Sequence, residues 1–306
     1  MGCYRDPAPR RTTWKKLLPP QPSAPVREAL RHKAVHGVAG SAVARLLAEG
    51  SGWRAQDVVC SSGPRDRAFE ERHDGVCVAV VLSGTFTYRN DLGRTLLTPG
   101  SLLLGDAETC FTCGHQHGEG DRCLSFHFEP AFFEQLAVDA EARKPRFRRN
   151  SLPAVRALTP LVARAVMAVK GSAALEELAL DIAVAGLLQS HDYKHRTVSA
   201  RDERRVAAVI RHLEDHYHER LALADLARLA DLSPFHFLRI FRATAGLTPH
   251  QYVLRTRLRA AAVALATTAT PVTEIALASG FADLSNFIRS FRAEFAMAPS
   301  SYRACS

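Results

Sequence analysis

Three cysteines and two histidines fall within fourteen residues, as Cys110-Phe111-Thr112-Cys113-Gly114-His115-Gln116-His117 followed by Cys123. A Cys-x-x-Cys spacing lets two thiolates reach one soft cation such as zinc, and a nearby His can complete a tetrahedron. Close thiols can equally form a reversible disulfide or offer a thiolate of lowered pKa to an electrophile. The same residues also suit the plainer role of small core and loop side chains, since free Cys is often buried. His115-x-His117 followed by Glu119 is spaced too tightly, in a Gly-rich turn, for a catalytic metal. His127, on an alternating stretch, reads as a core imidazole.

A second chemistry-bearing set is cationic and occurs twice. Arg239 recurs as Arg289, and Phe241-Arg242-Ala243 recurs as Phe291-Arg292-Ala293. Asp225-Leu226-Ala227 returns as Glu274-Ile275-Ala276, and Pro249-x-x-Tyr252 as Pro299-x-x-Tyr302. One Arg near the start of an exposed helix can reach a guanine edge with two N–H groups, and one further along meets phosphate. A lone helical Arg is more often solvated or ion-paired, but recurrence in register argues for a shared task. A duplicated helical unit with Arg on its second helix is the arrangement expected of two adjacent DNA readers.

Helices must hold these arginines in place. Val206, Val209, Ile210 and Leu213 form the apolar face of an opening helix, and Leu223 to Ala230 forms a short second one. After the turn at Asp231-Leu232, Ser233 is an N-cap with Pro234 at the first helical position, and the helix stops at Gly246. In the second copy Thr270-Pro271 starts a helix through Ala278, and Asp283 caps Leu284 to Phe295. Phe237, Ile240 and Phe241, then Phe287, Phe291 and Phe295, are the core faces. That leaves Phe235, His236, Leu238, Arg239 and Arg242, then Leu284, Ser285, Asn286, Arg289 and Arg292, on the groove side. A helix over Pro249–Thr267 joins the copies. Some eighteen residues span about 27 Å, close to the ~34 Å between successive major-groove faces of B-DNA.

Upstream the texture is different. Residues 1–50 carry nine Lys and Arg against three Asp and Glu, with six prolines, and read as a disordered basic tail with a short helix somewhere in 26–49. That tail holds two thirds of the net charge of +9, so overall basicity says little about nucleic acid. Short apolar runs from Ser51, including Val76–Leu82, Thr85–Tyr88, Arg94–Thr98, Ser101–Leu104 and Leu124–Phe128, suggest an antiparallel barrel or jelly roll. Two helices, Ala154 to Val169 and Ala173 to Gln189, follow. Leu175, Leu178, Ile182, Ala185 and Leu188 form a stripe suited to core packing or to a dimer interface. The expected divisions are 1–50 tail, 51–135 barrel, 136–190 helical pair, 191–200 linker and 201–306 double helix-turn-helix. With 306 residues, 47% hydrophobic and 23% charged, no membrane-length apolar run and no secretory core, a cytoplasmic protein is expected.

The pattern Leu232-Ser233-x-x-x-Phe237-Leu238-Arg239-x-Phe241-Arg242 … Gly246-x-x-Pro249-x-x-Tyr252, with Gly280-Phe281-x-x-x-Ser285-x-Phe287-x-Arg289-x-Phe291-Arg292 … Pro299-x-x-Tyr302-Arg303, resembles the AraC/XylS family over residues 205–303. That resemblance implies promoter binding, usually activation, with both second helices in the major groove. It puts Phe235, Leu238, Arg239, Leu284, Ser285, Asn286 and Arg289 toward the bases, although Leu238 departs from the polar residue often found there. Gly84 … Thr98-Pro99-Gly100-Ser101 resembles the cupin-like effector domain many such regulators carry, whose chain next passes the pocket mouth.

The expected fold class is therefore α+β, a cupin-like barrel and helical pair ahead of an all-α double helix-turn-helix. The expected partners are promoter DNA, RNA polymerase, a small-molecule, metal or redox effector, and a second copy of the chain. No cofactor is required, zinc or another soft metal at Cys110, Cys113, His115, His117 and Cys123 being optional. A metal-dependent cupin enzyme with an accessory helical domain is the rival from another class. A nucleoid-type binder is a third reading, disfavoured by the unequal reading surfaces.

Overall fold

The computed structural model describes residues 24–66, 68, 70–142, 144–171, 174–189 and 198–305. The expectations for residues 1–23 and for 191–197 of the linker lie outside these. The chain starts with helix α1 (Ala24–His36), followed by strands β1 (Ala42–Gly50), β2 (Trp53–Cys60), β3 (Glu70–Arg72), β4 (Val76–Ser83), β5 (Phe86–Asn90), β6 (Gly93–Leu97), β7 (Leu102–Gly105), β8 (Cys110–Gly114) and β9 (Asp121–Phe128). Helix α2 (Pro130–Asp139), strand β10 (Ser151–Leu152) and helices α3 (Thr159–Ala168) and α4 (Leu175–Gln189) complete the first half.

The strands form two antiparallel sheets, ordered β1-β2-β9-β4-β7-β10 and β3-β8-β5-β6. Period-two alternation gives the larger sheet two different faces. On β9, Leu124, Phe126 and Phe128 point outward into a core with Phe133, Leu158, Val162, Leu178 and Ile182 of the helices. Asp121, Cys123, Ser125 and His127 point inward, between the sheets. Strand β4 is buried on both faces, which is why Val76–Leu82 reads as an unbroken apolar run.

Within the tail expected through residue 50 the short helix is present, but the chain beyond it is corrected to an ordered strand of the larger sheet. Ala24–His36 is helical and Ala42–Gly50 is an edge strand paired in register with β2. The Ala- and Leu-rich segment carries helix propensity, but cross-strand pairing decides the outcome. Arg45 faces Asp57 across the ladder, with an ion pair of 3.1 Å. The hairpin between β1 and β2 needs glycine at position 52, where φ is +79° and an added Cβ would lie 2.7 Å from the Phe132 side chain. The helix expected from Ala154 is also shorter than its apolar pattern, because a 3-10 turn at Arg156–Leu158 precedes α3.

The C-terminal half comprises α5 (Ala200–His216), α6 (Leu223–Leu229), α7 (Pro234–Ala245), α8 (Pro249–Thr267), α9 (Val272–Ala278), α10 (Leu284–Phe295) and α11 (Pro299–Cys305). Phe237, Ile240 and Phe241 pack with Tyr252 in the first core; Phe287, Phe291 and Phe295 pack with Leu258 and Leu265 in the second. The two ends of α8 thus belong to different cores, so this 19-residue helix is a spacer anchored at both ends. Its start is fixed by a reciprocal capping box between Thr248 and Gln251.

The caps of α7 and α10 are those expected. Ser233 Oγ accepts from His236 N at 3.4 Å, whereas Asp283 Oδ1 accepts from Asn286 N at 2.7 Å. The shorter, charge-assisted bond also meets the positive end of its helix. Asp283→Ala is expected to cost about 1–2 kcal/mol and Ser233→Ala about 0.5–1 kcal/mol. Urea unfolding checks this, as midpoint shifts at constant m-value in that order.

The two halves pack together. Ala163 of α3 enters the core of the second unit, and Leu96 and Ala154 enter that of the first. Gly100, with φ +88°, permits a close pass, since a Cβ there would lie 2.1 Å from Arg259 Nη1. Arg94 pairs with Glu203 at 2.6 Å, and Arg211 with Glu119 at 3.0 Å.

Candidate nucleic-acid interface and effector cavity

The apolar faces of α7 and α10 are buried, and their opposite faces reach solvent. Phe235 is 80% exposed and Leu284 38%. Arg239, Arg242, Ser285, Arg289 and Arg292 are exposed, while His236, Leu238 and Asn286 are half-buried. The structure therefore brings the expected groove-side residues onto two open surfaces. Arg239 Nη2 donates to His236 Nε2 at 3.1 Å, and Arg289 Nη2 donates to Asn286 Oδ1 at 3.2 Å. Each pair spans three residues on its helix, the spacing at which helical side chains meet, so both guanidinium groups are steered alike.

Among the described residues, none of Arg239, Arg242, Arg289 and Arg292 has a carboxylate partner. Other arginines of the same half do: Arg205 with Asp231, Arg228 with Asp225, Arg255 with Glu294. Four cations in matched positions without counter-charges are available to an external anion. Phe235 and Leu284, at the helix starts, can supply apolar contact of the kind that reads a thymine methyl.

Between the sheets lies a cavity of about 340 Å³. It gathers side chains that the Cys/His segment alone does not. Strand β8 carries Cys110 to Gly114, and three residues of separation on a strand point to opposite faces. Cys113 accordingly faces the cavity and Cys110 lies exposed outside it, so this Cys-x-x-Cys does not converge on one point. The spacing would have worked on a turn or helix; the extended backbone separates it.

His117 is also engaged elsewhere. Its Nε2 donates to the Thr85 carbonyl oxygen at 2.7 Å, and its Nδ1 accepts from Glu119 N at 3.3 Å, so both ring nitrogens are occupied. Cys113 and Cys123 line the cavity, and burial raises both thiols well above the usual range. They remain protonated at neutral pH, unlike the lowered-pKa thiolates of reactive cysteines. His73 is likewise held neutral, burial lowering it to about 4, and its Nε2 lies 2.8 Å from the Tyr88 hydroxyl. His127 faces the cavity, with Nε2 2.9 Å from Ser125 Oγ.

His115 is the member of the segment that meets new partners. Its Nε2 lies 2.9 Å from Asp121 Oδ2 and 3.4 Å from Cys60 Sγ. Burial opposes charge on this imidazole, but the Asp121 and Cys60 contacts outweigh it and push the ring up to about 10. Neither Cys60 nor Asp121 stands out in the sequence, because strand register, not spacing along the chain, places them together. They are direct cross-strand partners on β2 and β9.

Known proteins divide the chain in the same way. Residues 57–188 match the family described as AraC-like ligand binding domain, and residues 226–304 match a Helix-turn-helix domain. The regulatory protein SoxS of Salmonella typhimurium is 33% identical over 98 residues, covering 32% of this chain and 92% of that protein. The probable transcriptional regulator LumQ of Photobacterium leiognathi is 35% identical over 92 residues, 30% of this chain and 37% of that protein. The chain spans about a third of the length of the first curated relatives it matches. The solved DNA-binding domain of AdpA in complex with a target DNA is 31% identical, covering 33% of this chain and 90% of that one, with a TM-score of 0.32. A cupin superfamily protein from Desulfitobacterium hafniense is 16% identical, covering 29% of this chain and 78% of that one, with a TM-score of 0.25. With the duplicated helical unit, the barrel ahead of it and a relative matched over nearly its whole length, the chain belongs to the AraC family of transcription regulators.

Proposed function

We propose that this protein is an effector-responsive transcription activator that lays α7 and α10 into adjacent major grooves on one side of promoter DNA. The observation that carries this is the matched pair of uncompensated arginines, Arg239 and Arg289, each steered by the residue three positions earlier. In this reading Arg239 and Arg289 contact guanine edges, Arg242 and Arg292 contact phosphate, and Phe235, His236, Leu238, Leu284, Ser285 and Asn286 complete the reading surfaces. The two surfaces differ in every neutral side chain, so the preferred site is asymmetric and one copy of the chain has a direction on it. RNA polymerase is the partner that an activator held in this direction would recruit. The exposed end of the α4 stripe at Leu188 offers a contact for a second copy.

The inter-sheet cavity takes the effector, and no resident cofactor is needed for DNA reading. An effector that binds more tightly to one arrangement of the two halves shifts their equilibrium by that difference in affinity. The Arg94–Glu203 and Arg211–Glu119 pairs cross the boundary where such a shift would act. Relatives are transcription regulators, which favours this reading over a cupin enzyme. No helix among the described residues is long and apolar enough to cross a membrane, in keeping with action on cytoplasmic DNA.

Selection of bound sequences from a randomised duplex library tests the proposal without knowledge of the promoter. The expected result is an asymmetric consensus of two short blocks whose centres lie about one helical turn apart. Enrichment of no sequence over the starting library would overturn it.

A further inference from the structure

We infer that Cys60, His115 and Asp121 form an open, mononuclear site for a divalent ion of the zinc class, with its remaining position facing the inter-sheet cavity. The inference deepens the reading of that cavity as the effector site and rests on it. Cys60 Sγ, a ring nitrogen of His115 and a carboxylate oxygen of Asp121 all lie within 4.8 Å of one another. Cross-strand pairing of Cys60 with Asp121 puts their side chains on one face of the larger sheet, and His115 approaches just after β8 of the other. The ligands are thus held by both walls of the barrel.

Two features separate a cation site from a proton relay. In a thiol–imidazole–carboxylate relay the acid and the thiol use opposite ring nitrogens. Here both approach the same one, with Nε2 lying 2.9 Å from Asp121 Oδ2 and 3.4 Å from Cys60 Sγ. A single proton on that nitrogen cannot serve both, and the buried Asp121 Oδ2 is left without a hydrogen bond. Its 2.9 Å contact with Nε2 is an ion pair without hydrogen-bond geometry, and one cation among the three atoms would satisfy all of them. The Nε2–Sγ spacing of 3.4 Å is also close to the ~3.5 Å separating neighbouring ligands in a tetrahedron with bonds of about 2.0–2.3 Å, and the Nε2–Oδ2 spacing of 2.9 Å is shorter.

The donor set selects the metal class. One sulfur, one nitrogen and one oxygen suit borderline Zn²⁺; magnesium and calcium take oxygen ligands, and copper(I) prefers sulfur. Three protein ligands with room beside them describe a site that keeps one position open.

The test uses the full-length protein, stripped of metal under reductant and titrated with Co²⁺, then with Zn²⁺ in competition. Saturation at one equivalent, a thiolate-to-cobalt charge-transfer band and displacement of Co²⁺ by Zn²⁺ are expected. Cys60→Ser should abolish the band and Asp121→Asn should weaken Co²⁺ binding about tenfold or more, while Cys110→Ser leaves both unchanged. Absence of saturable binding in the wild-type protein overturns the site whatever the variants do, as does a band that survives in Cys60→Ser. DNA mobility shifts on the same samples distinguish the two levels of inference. If one equivalent binds with the expected ligands but DNA affinity is unchanged, the metal site stands and its effector role fails. If no metal binds while the wild-type protein still retards its selected DNA, the site fails and the regulator reading stands.

Discussion

Replacing Arg239 or Arg289 with alanine is expected to cost about 1–3 kcal/mol of specific DNA binding in each case. The two arginines sit on separate helical units with separate cores joined by α8. Their losses should therefore add, giving a double variant weaker by about thirty-fold to twenty-thousand-fold on its selected site. Stability should barely change, because neither side chain has a carboxylate partner to orphan and both are exposed. Arg242→Ala and Arg292→Ala should behave differently. Each is expected to lower affinity nearly uniformly across sequences and to reduce the salt slope by about 1. Fluorescence anisotropy at several salt concentrations, on consensus and scrambled duplexes, separates base reading from phosphate contact. A double Arg239/Arg289 variant with unchanged affinity and footprint would remove the base-reading assignment.

Helices α7 and α10 were legible in the sequence because their determinants are local. A capping residue, the i, i+4 aromatic spacing and a stop signal all lie within one or two turns of what they specify, and a second copy repeats them. Even the departure at the end of α10 is informative. Ala296 takes the left-handed conformation, with φ +59°, that Gly246 takes after α7, so the terminating geometry is repeated although its residue is not. The cavity was not legible to the same degree. Strand β1 combines helix-favouring Ala and Leu with an exposed edge, and only pairing with β2 makes it a strand. Cys60 and Asp121 lie far apart along the chain and become neighbours through register. The alternation Asp121, Cys123, Ser125, His127 was the available hint that one face of β9 is lined with polar and thiol side chains. The Cys-x-x-Cys spacing lies on a strand, and the extended backbone of β8 sends its two thiols to opposite faces.

Glu294→Ala is expected to destabilise the protein by roughly 3 kcal/mol, because Glu294 offsets a buried charge at the contact between the two halves. Its side chain, only 7% exposed, accepts from Thr159 Oγ1 at 2.6 Å and lies 3.3 Å from Arg255 Nε and 3.6 Å from Arg156 Nε. The two arginines are not equivalent. Arg255 is 15% exposed and would be stranded without a counter-charge, whereas Arg156 is 59% exposed and well solvated. Arg156→Ala should accordingly cost less than about 1 kcal/mol. Glu294→Gln should fall between the two, since it can keep the Thr159 hydrogen bond while losing the charge. Urea unfolding of the three variants tests the order Ala, Gln, then Arg156→Ala. Equal losses for Glu294→Ala and Arg156→Ala would mean that the exposed pair, not the buried one, sets the cost. Thr159 and Arg156 come from the first half and Glu294 and Arg255 from the C-terminal half, so the same carboxylate ties α10 to α3. It points away from the groove-side residues of its own helix. Well below the unfolding midpoint, Glu294→Ala should therefore change specific DNA affinity by less than about tenfold. A larger loss would mean that docking against α3 sets the position of the second reader as well as its stability.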